Sequence, residues 1–281
     1  MTKISNIKEL EKKVIELKKE IVRLTCIVGG THIGGCLSAL DVLVALYYSI
    51  LNLDHKNPKW NDRDIFILSK GHAGFALCVI LADLGYFPKE ELETFNQSGS
   101  RFGIHPDRNK IPGIEVSTGS LGHGLPISLG IALADQMDKK QRKIICMIGD
   151  GEIHEGSNWE AIMAASHYKL SNLVCIVDYN KLCMDGFVNE IINIEPLIDR
   201  FESFGWYTKE IDGHNMKEII DTFYDLPINK GDKPIALICH TVKGKGIKEI
   251  ENNVGWHYGT FDEEKECKIM EELDRCLAEL S

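Results

Sequence analysis

The reading turns on M-I-G-D-G-E-I-H-E-G, Met147–Gly156. It follows the apolar run Ile144–Ile148, which reads as a buried strand, so its glycines mark a turn at that strand's carboxyl end. Glycine-rich turns after strands usually hold phosphate, yet this one is acidic and has no lysine. A P-loop needs G-x-x-x-x-G-K-[ST]. Gly151 and Gly156 have the spacing, but Ser157 stands where the lysine belongs. The dinucleotide fingerprint G-x-G-x-x-G also fails, because His154 occupies the third glycine position. The remaining option is phosphate held through a divalent metal, which takes one or two protein oxygens plus phosphate oxygens. Asp150 would be the first ligand.

The second ligand belongs at the end of a neighbouring strand. The stretch L-V-C-I-V-D-Y-N-K-L, Leu173–Leu182, puts Asn180 about 30 residues past Asp150, roughly one βαβ unit. In a parallel sheet both residues would leave at the same carboxyl edge, where such folds bind ligands. A bound cation reverses the local charge logic and explains an acidic phosphate turn.

On both sides of this turn, helical and strand-like segments alternate. Ile7, Leu10, Val14, Leu17, Ile21, Leu24 and Val28 repeat at helical spacing, with Asn6 and Glu9 placed as a capping box, so a helix over about 6–28 ends at Gly29-Gly30. The spacing also suits a coiled coil, but packing on its own domain is the better reading. Helices are expected at Leu37–Leu51, Phe75–Leu84, Gly122–Met137, Asn158–Lys169 and Met216–Tyr224. Strands are expected at Ile65–Leu68, Ile144–Ile148, Leu173–Asp178, Tyr207–Ile211 and Pro234–Thr241. This alternation predicts an α/β fold with a mostly parallel sheet. No repeat or linker divides the chain, so residues 1–281 read as a single domain, with long loops around 98–118 and 180–200 and a polar C-terminal helix from about 262.

The 281 residues are 44% hydrophobic and 26% charged, with a net charge of −10. That composition is globular, and an acidic surface argues against nucleic acid or anionic membrane as a partner. No apolar run is expected to reach the roughly 18–20 residues that span a bilayer, and the charged N-terminus is unlike a signal peptide. Nine cysteines with no C-x-x-C point to reduced, mostly buried thiols and a cytoplasmic protein.

G-D-G followed about thirty residues later by Asn is similar to the thiamine-diphosphate motif, and its surroundings resemble the transketolase family. The resemblance extends to T-H-I-G-G (Thr31–Gly35), N-P-K-W-N-D-R-D-I-F-I-L-S-K-G-H-A (Asn57–Ala73), I-H-P-D (Ile104–Asp107), S-T-G-S-L-G-H-G (Ser117–Gly124), I-D-G-H-N (Ile211–Asn215), T-V-K-G-K-G (Thr241–Gly246) and W-H-Y-G (Trp256–Gly259). It runs from about residue 10 to 262.

The resemblance implies a three-layer α/β/α thiamine-diphosphate-binding fold. It implies Mg²⁺, with Ca²⁺ or Mn²⁺ as possible substitutes, on Asp150, Asn180 and the Leu182 carbonyl. The diphosphate would meet Gly151, and Gly119, Ser120 and Leu121 would line the cofactor. His72 and His257 would contact the cofactor or its reacting adduct, with Lys70 and Lys243 balancing diphosphate charge. His32 and His105 would approach substrate hydroxyls. His123 stands where many relatives carry Gln, so its role is open. Glu155 resembles an acid that links active sites across a subunit interface. Lone histidines such as His55, His154, His167 and His240 read as surface or core residues, Glu160 as a helix-face charge, and Asp41 and Asp185 as capping or turn residues.

A whole transketolase is more than twice as long, with a pyrimidine-binding domain that carries the activating glutamate. The expectation is therefore the N-terminal subunit of a split transketolase, paired with a separate C-terminal chain, as an α2β2 assembly acting on sugar phosphates. The alternatives are a split relative for other sugars, including sulfonated ones, the first part of a 1-deoxyxylulose-5-phosphate synthase or 2-oxoacid dehydrogenase, and a silent scaffold or regulatory module. The S-T-G-S-L-G-H-G and Asn57–Ala73 segments fit transketolase better than the two other enzymes, and intact metal ligands argue against the silent module.

Overall fold

The chain alternates strands and helices in the order α1 (Ile7–Val28), α2 (Ile33–Ala45), β1 (Ile65–Leu68), α3 (Gly74–Asp83), α4 (Gly124–Met137), β2 (Ile144–Gly149), α5 (Gly156–His167), β3 (Leu173–Tyr179), α6 (Val188–Ile191), α7 (Leu197–Ser203), β4 (Tyr207–Asp212), α8 (Met216–Asp225), β5 (Ile235–His240) and α9 (Glu263–Glu279). The computed structural model describes residues 3–280. The five strands form one parallel sheet in the order β1-β2-β3-β5-β4.

Successive strand residues point to opposite faces, and both faces are covered. Phe66, Leu68, Ile145, Met147, Val174, Ile176 and Leu237 pack into a core with α1, α2, α3 and α8. Ile65, Ile67, Ile144, Cys146, Ile148, Cys175 and Val177 pack into a second core with α4, α5 and α7. The result is the expected three-layer α/β/α sandwich. Two-sided burial also explains why β1, β2, β3 and β5 are apolar almost throughout rather than at alternate positions, while the edge strand β4, Y-T-K-E-I-D, is mostly exposed.

Helix α1 is capped by Asn6, whose Oδ1 accepts from the N–H groups of Lys8 (2.9 Å) and Glu9 (3.4 Å), the Asn6 half of the expected capping box. It packs within its own domain, its apolar stripe lying in the first core beside Ile269 and Leu273 of α9. Four expectations need correcting. The second helix begins at Ile33, not Leu37, and closes in a wider turn, Leu46–Ile50. With that turn it forms an apolar helical stretch of 18 residues, so spanning length is reached after all; 94% of it is buried inside the fold, as befits a core helix. The 180–200 segment is not all loop, since it holds α6 and the start of α7. Asp41 neither caps nor turns; it lies within α2.

A candidate active site at the carboxyl edge of the sheet

Parallel pairing brings the strand ends together. Gly149 is in register with Asp178, and Tyr179 with His240. Asp150, Asn180 and the Thr241–Gly246 loop therefore emerge side by side, as the thirty-residue spacing predicts. The N–H of Ser69 bonds Met147 O at 2.8 Å, which delivers Lys70 and His72 to the same edge. These residues line a cleft of about 380 Å³ with Gly35, Leu121, Gly151, Glu155, Leu182, Lys243 and His257.

Asp150 is buried, at 2% exposure. Its carboxylate accepts from the N–H groups of Gly151 (2.7 Å) and Lys181, and it forms no ion pair among the described residues. Burial, followed by the neighbouring Asp178, pushes its pKa up to about 6. Next to it, Asn180 Oδ1 accepts from Leu182 N–H at 3.1 Å. Lys243 Nζ donates to the carbonyls of Leu182 (3.1 Å) and Cys183 (3.0 Å). The three expected metal ligands are thus all oxygens, the carboxylate among them is desolvated and in no ion pair among the described residues, and an ammonium is already drawn to the carbonyl expected to bind metal. That donor set fits a hard divalent ion. Gly151 lines the cleft and lets the Cys183 segment close on the turn, since a Cβ there would lie 2.9 Å from that of Cys183.

Lys70 is placed differently from the simple picture of a diphosphate counterion. Its ammonium, 2% exposed, pairs with buried Asp178 and donates to Gly35 O at 3.1 Å. Asp178 also accepts from the hydroxyls of Ser38 (2.6 Å) and Thr241. Burial works against the charge, but Lys70 and these hydroxyls outweigh it and hold Asp178 below the usual carboxylate range.

Three imidazoles cluster across the cleft. Ring centroids lie 5.5 Å apart for His32–His72, and 5.2 Å for both His32–His257 and His72–His257. Lys243 Nζ donates to His257 Nδ1 at 3.0 Å, which leaves the His257 proton on Nε2. Burial, then neighbouring positive charge, lowers all three pKa values: His32 to about 4, His257 to about 3, and His72 well below the ordinary value. At neutral pH each ring is uncharged, with one donor and one acceptor nitrogen. Lys243 is itself brought down to about 8 by burial and then by Lys70.

His105 is exposed and adjoins this cluster, lying against Gly119, where a Cβ would come within 2.8 Å of its Cγ. Ser120 and His123 are exposed on the same loop, His123 at the start of α4. Glu155 is exposed at the rim of the cleft. His154, read from sequence as incidental, also lines the cleft, with Nε2 2.9 Å from Ile192 O. Sequence reasoning missed Asp178 and Glu152. Glu152 is 3% exposed, and its carboxylate accepts from Ser69 Oγ–H and from the N–H groups of Gly122 (2.9 Å) and Gly149 (3.0 Å), joining three of the site's loops. Asp178 carried a legible signal, a charge inside a strand otherwise destined for the core, which must find partners; Glu152 lies in the acidic turn and had no such mark.

The family model described as the thiamine diphosphate binding domain of transketolase matches residues 21–273. The chain is 41% identical over 251 residues to one of the subunits of the apulose-4-phosphate transketolase of Actinobacillus succinogenes, covering 89% of this chain and 90% of that protein. It is 42% identical over 247 residues to the 6-deoxy-6-sulfo-D-fructose transketolase subunit SqwG of a Clostridium species, covering 88% and 90%. Its fold superposes on the transketolase of Campylobacter jejuni with a TM-score of 0.82 and 27% identity, over 99% of this chain and 48% of that one. The chain thus spans about half of that transketolase, but nearly the whole of the two shorter relatives. The chain belongs to the transketolase family, as its thiamine diphosphate-binding N-terminal domain.

Proposed function

We propose that this protein is the diphosphate-binding subunit of a two-chain transketolase, moving a two-carbon ketol unit from a ketose to an aldose. The observation that carries the reading is Asp150: a carboxylate buried beside Asn180 and Leu182, with no ion pair among the described residues. Those three residues would hold Mg²⁺, or Ca²⁺ or Mn²⁺ in its place, with Gly151 giving its backbone to the diphosphate and Gly119, Ser120 and Leu121 lining the cofactor. Thiamine diphosphate, when bound, supplies an electron sink for carbon–carbon cleavage.

The chain's own contribution is to place neutral imidazoles around that centre. His32, His72 and His257 each offer an N–H and a lone pair, so they can hold sugar hydroxyls and pass protons near neutral pH. His105 would reach the substrate from its loop. Lys243 would neutralise diphosphate charge and keep His257 in one tautomer. Lys70, being committed to Asp178, would act on the diphosphate only at second hand. The remaining parts would come from a separate C-terminal subunit with the activating glutamate, to which Glu155 would connect, in an α2β2 assembly in the cytoplasm.

Sugar choice follows the same reasoning. Pentose phosphates are the default for the family resemblance, whereas two relatives of near-equal length are named for apulose 4-phosphate and a sulfo-fructose, which favours testing non-pentose donors alongside. The test is to purify the chain with whatever second chain accompanies it and assay ketol transfer from a panel of phosphorylated and sulfonated ketoses. Transfer that needs both thiamine diphosphate and Mg²⁺, and that disappears in Asp150→Ala, is expected. Undiminished transfer by Asp150→Ala would overturn the reading.

A further inference from the structure

The turn between β4 and α8 carries I-D-G-H-N, Ile211–Asn215, and four of its five residues have local tasks. Ile211 is core. Asp212 Oδ1 accepts from His214 N–H at 2.8 Å. Gly213 lets the turn press on β5, because a Cβ there would lie 2.5 Å from Thr241 Cγ2. Asn215 caps α8 by accepting from Glu218 N–H at 3.1 Å. The ring of His214 serves none of these ends.

That ring bridges two elements of the site. Its Nε2 lies 2.9 Å from Val242 N, and its Nδ1 lies 2.9 Å from Asp41 Oδ2 on α2. A backbone N–H can only donate, so Nε2 is the acceptor and the proton sits on Nδ1, directed at Asp41. The neighbouring backbone is fixed by other bonds: Thr241 N–H to Tyr179 O (3.2 Å), Gly244 N–H to Gly34 O (3.0 Å), and Asn252 N–H to Lys243 O (2.9 Å). Val242 N–H is the link in this series that depends on a side chain. The next residue, Lys243, reaches three acceptors at 3.0–3.1 Å. Those are ordinary hydrogen-bond lengths, and all three hold together only while the Val242–Lys243 backbone keeps its place. The same bridge ties that loop to α2, whose first turn follows directly on His32.

We infer that His214 is a positioning residue for Lys243: oriented by Asp41, it holds the Val242 N–H and so aims the ammonium at Leu182, Cys183 and His257. This rests on the proposal that Lys243 serves the cofactor site. The role calls for a ring nitrogen that accepts, so the chemistry of position 214 matters as well as its volume.

The experiment uses the assembled two-chain enzyme and reads the half-saturating concentration of thiamine diphosphate at fixed Mg²⁺, the sugar KM, and the thermal midpoint. His214→Phe keeps the ring and removes both hydrogen-bonding nitrogens. It should raise cofactor half-saturation about 10-fold, a size in keeping with stranding a part-buried donor next to Lys243, and leave the sugar KM within about twofold. His214→Gln offers an amide oxygen to Val242 and should recover most of the loss. Asp41→Leu frees the ring and should shift half-saturation in the same direction, by less. The deciding arm is a double-mutant cycle: in a Lys243→Met background, His214→Phe should add little, because the residue it positions is gone. A full additive effect in that background, or a fall in thermal midpoint alone, would overturn the inference. Wild-type activity without cofactor dependence would overturn the site reading as well, and so separates the two failures.

Discussion

The ends of β2 and β3 each bury a carboxylate, and the two could hardly be treated more differently. Asp178 is 1% exposed and Asp150 2%. Asp178 has an ammonium and two hydroxyls, and its pKa falls. Asp150 has two backbone N–H groups, and its pKa rises to about 6. Burial costs both, but only one is offset from within the chain. The difference separates a carboxylate that builds the site from one kept available for a cation arriving from outside. A fold that paired both would be a closed core; one that paired neither would be hard to hold together.

The largest expected effect breaks the paired side. Asp178→Ala strands Lys70 in the interior, and removing one partner of a buried pair costs about 3–5 kcal/mol. Denaturant unfolding of the isolated chain measures this, and a loss below about 1 kcal/mol would mean that Lys70 finds another partner. Asp150→Ala should cost the ligand-free chain less, since it removes a desolvated charge along with two hydrogen bonds. Its larger effect is on ligand. The wild-type complex should gain roughly 2.7 kcal/mol from cofactor and Mg²⁺ at a hundredfold excess over the dissociation constant, and the variant should gain none. If Asp150→Ala destabilises the ligand-free chain as much as Asp178→Ala does, the two carboxylates are doing the same job and the contrast fails.

How much of this was legible follows from where each signal lives. Asp150 and Asn180 announced themselves through glycines, a strand end and a spacing of one βαβ unit, all local along the chain. Most of the strands were legible because two-sided burial makes β1, β2, β3 and β5 apolar almost throughout, whereas β4, Y-T-K-E-I-D, is mostly exposed. Asp178 was read only as the last residue of a strand, because its partner Lys70 is 108 residues away and in a different motif. Asp41 and His214 are 173 residues apart, and neither hints at the other. The start of α2 was missed because Gly34 and Gly35 discourage helix on propensity. They are helical here because the helix must approach its neighbours closely: a Cβ on Gly34 would come within 2.6 Å of Trp256 O. Pairings across the sheet edge are set by tertiary contact, and no window of sequence contains them.

The hydroxyl partners of Asp178 should matter less than its ammonium. Thr241→Val removes one hydroxyl from Asp178 and keeps the shape, so it should cost about 1 kcal/mol, well short of losing Lys70. A cost equal to that of Asp178→Ala would make the hydroxyl, not the ammonium, the main support of the carboxylate.

Near neutral pH the smallest expected effect concerns protons rather than contacts. His32 has its pKa lowered to about 4, first by burial and then by His105 and Lys243, against an ordinary value of about 6.5. The folded chain therefore keeps this ring neutral over a range in which the unfolded chain protonates it. Below about pH 6.5 the unfolded state binds the extra proton, so stability falls with pH until the folded ring also titrates near 4. Asp150 acts in the opposite sense over part of that window, because its raised pKa favours the fold as it protonates. The two are separated by comparison with His32→Gln, which removes only the imidazole. Thermal midpoints of wild type and variant should run parallel above pH 6.5, and the wild type should then fall more steeply towards pH 4. Parallel curves over the whole range would show that His32 is solvated in the folded chain, and would take one neutral donor–acceptor out of the cluster facing the cleft.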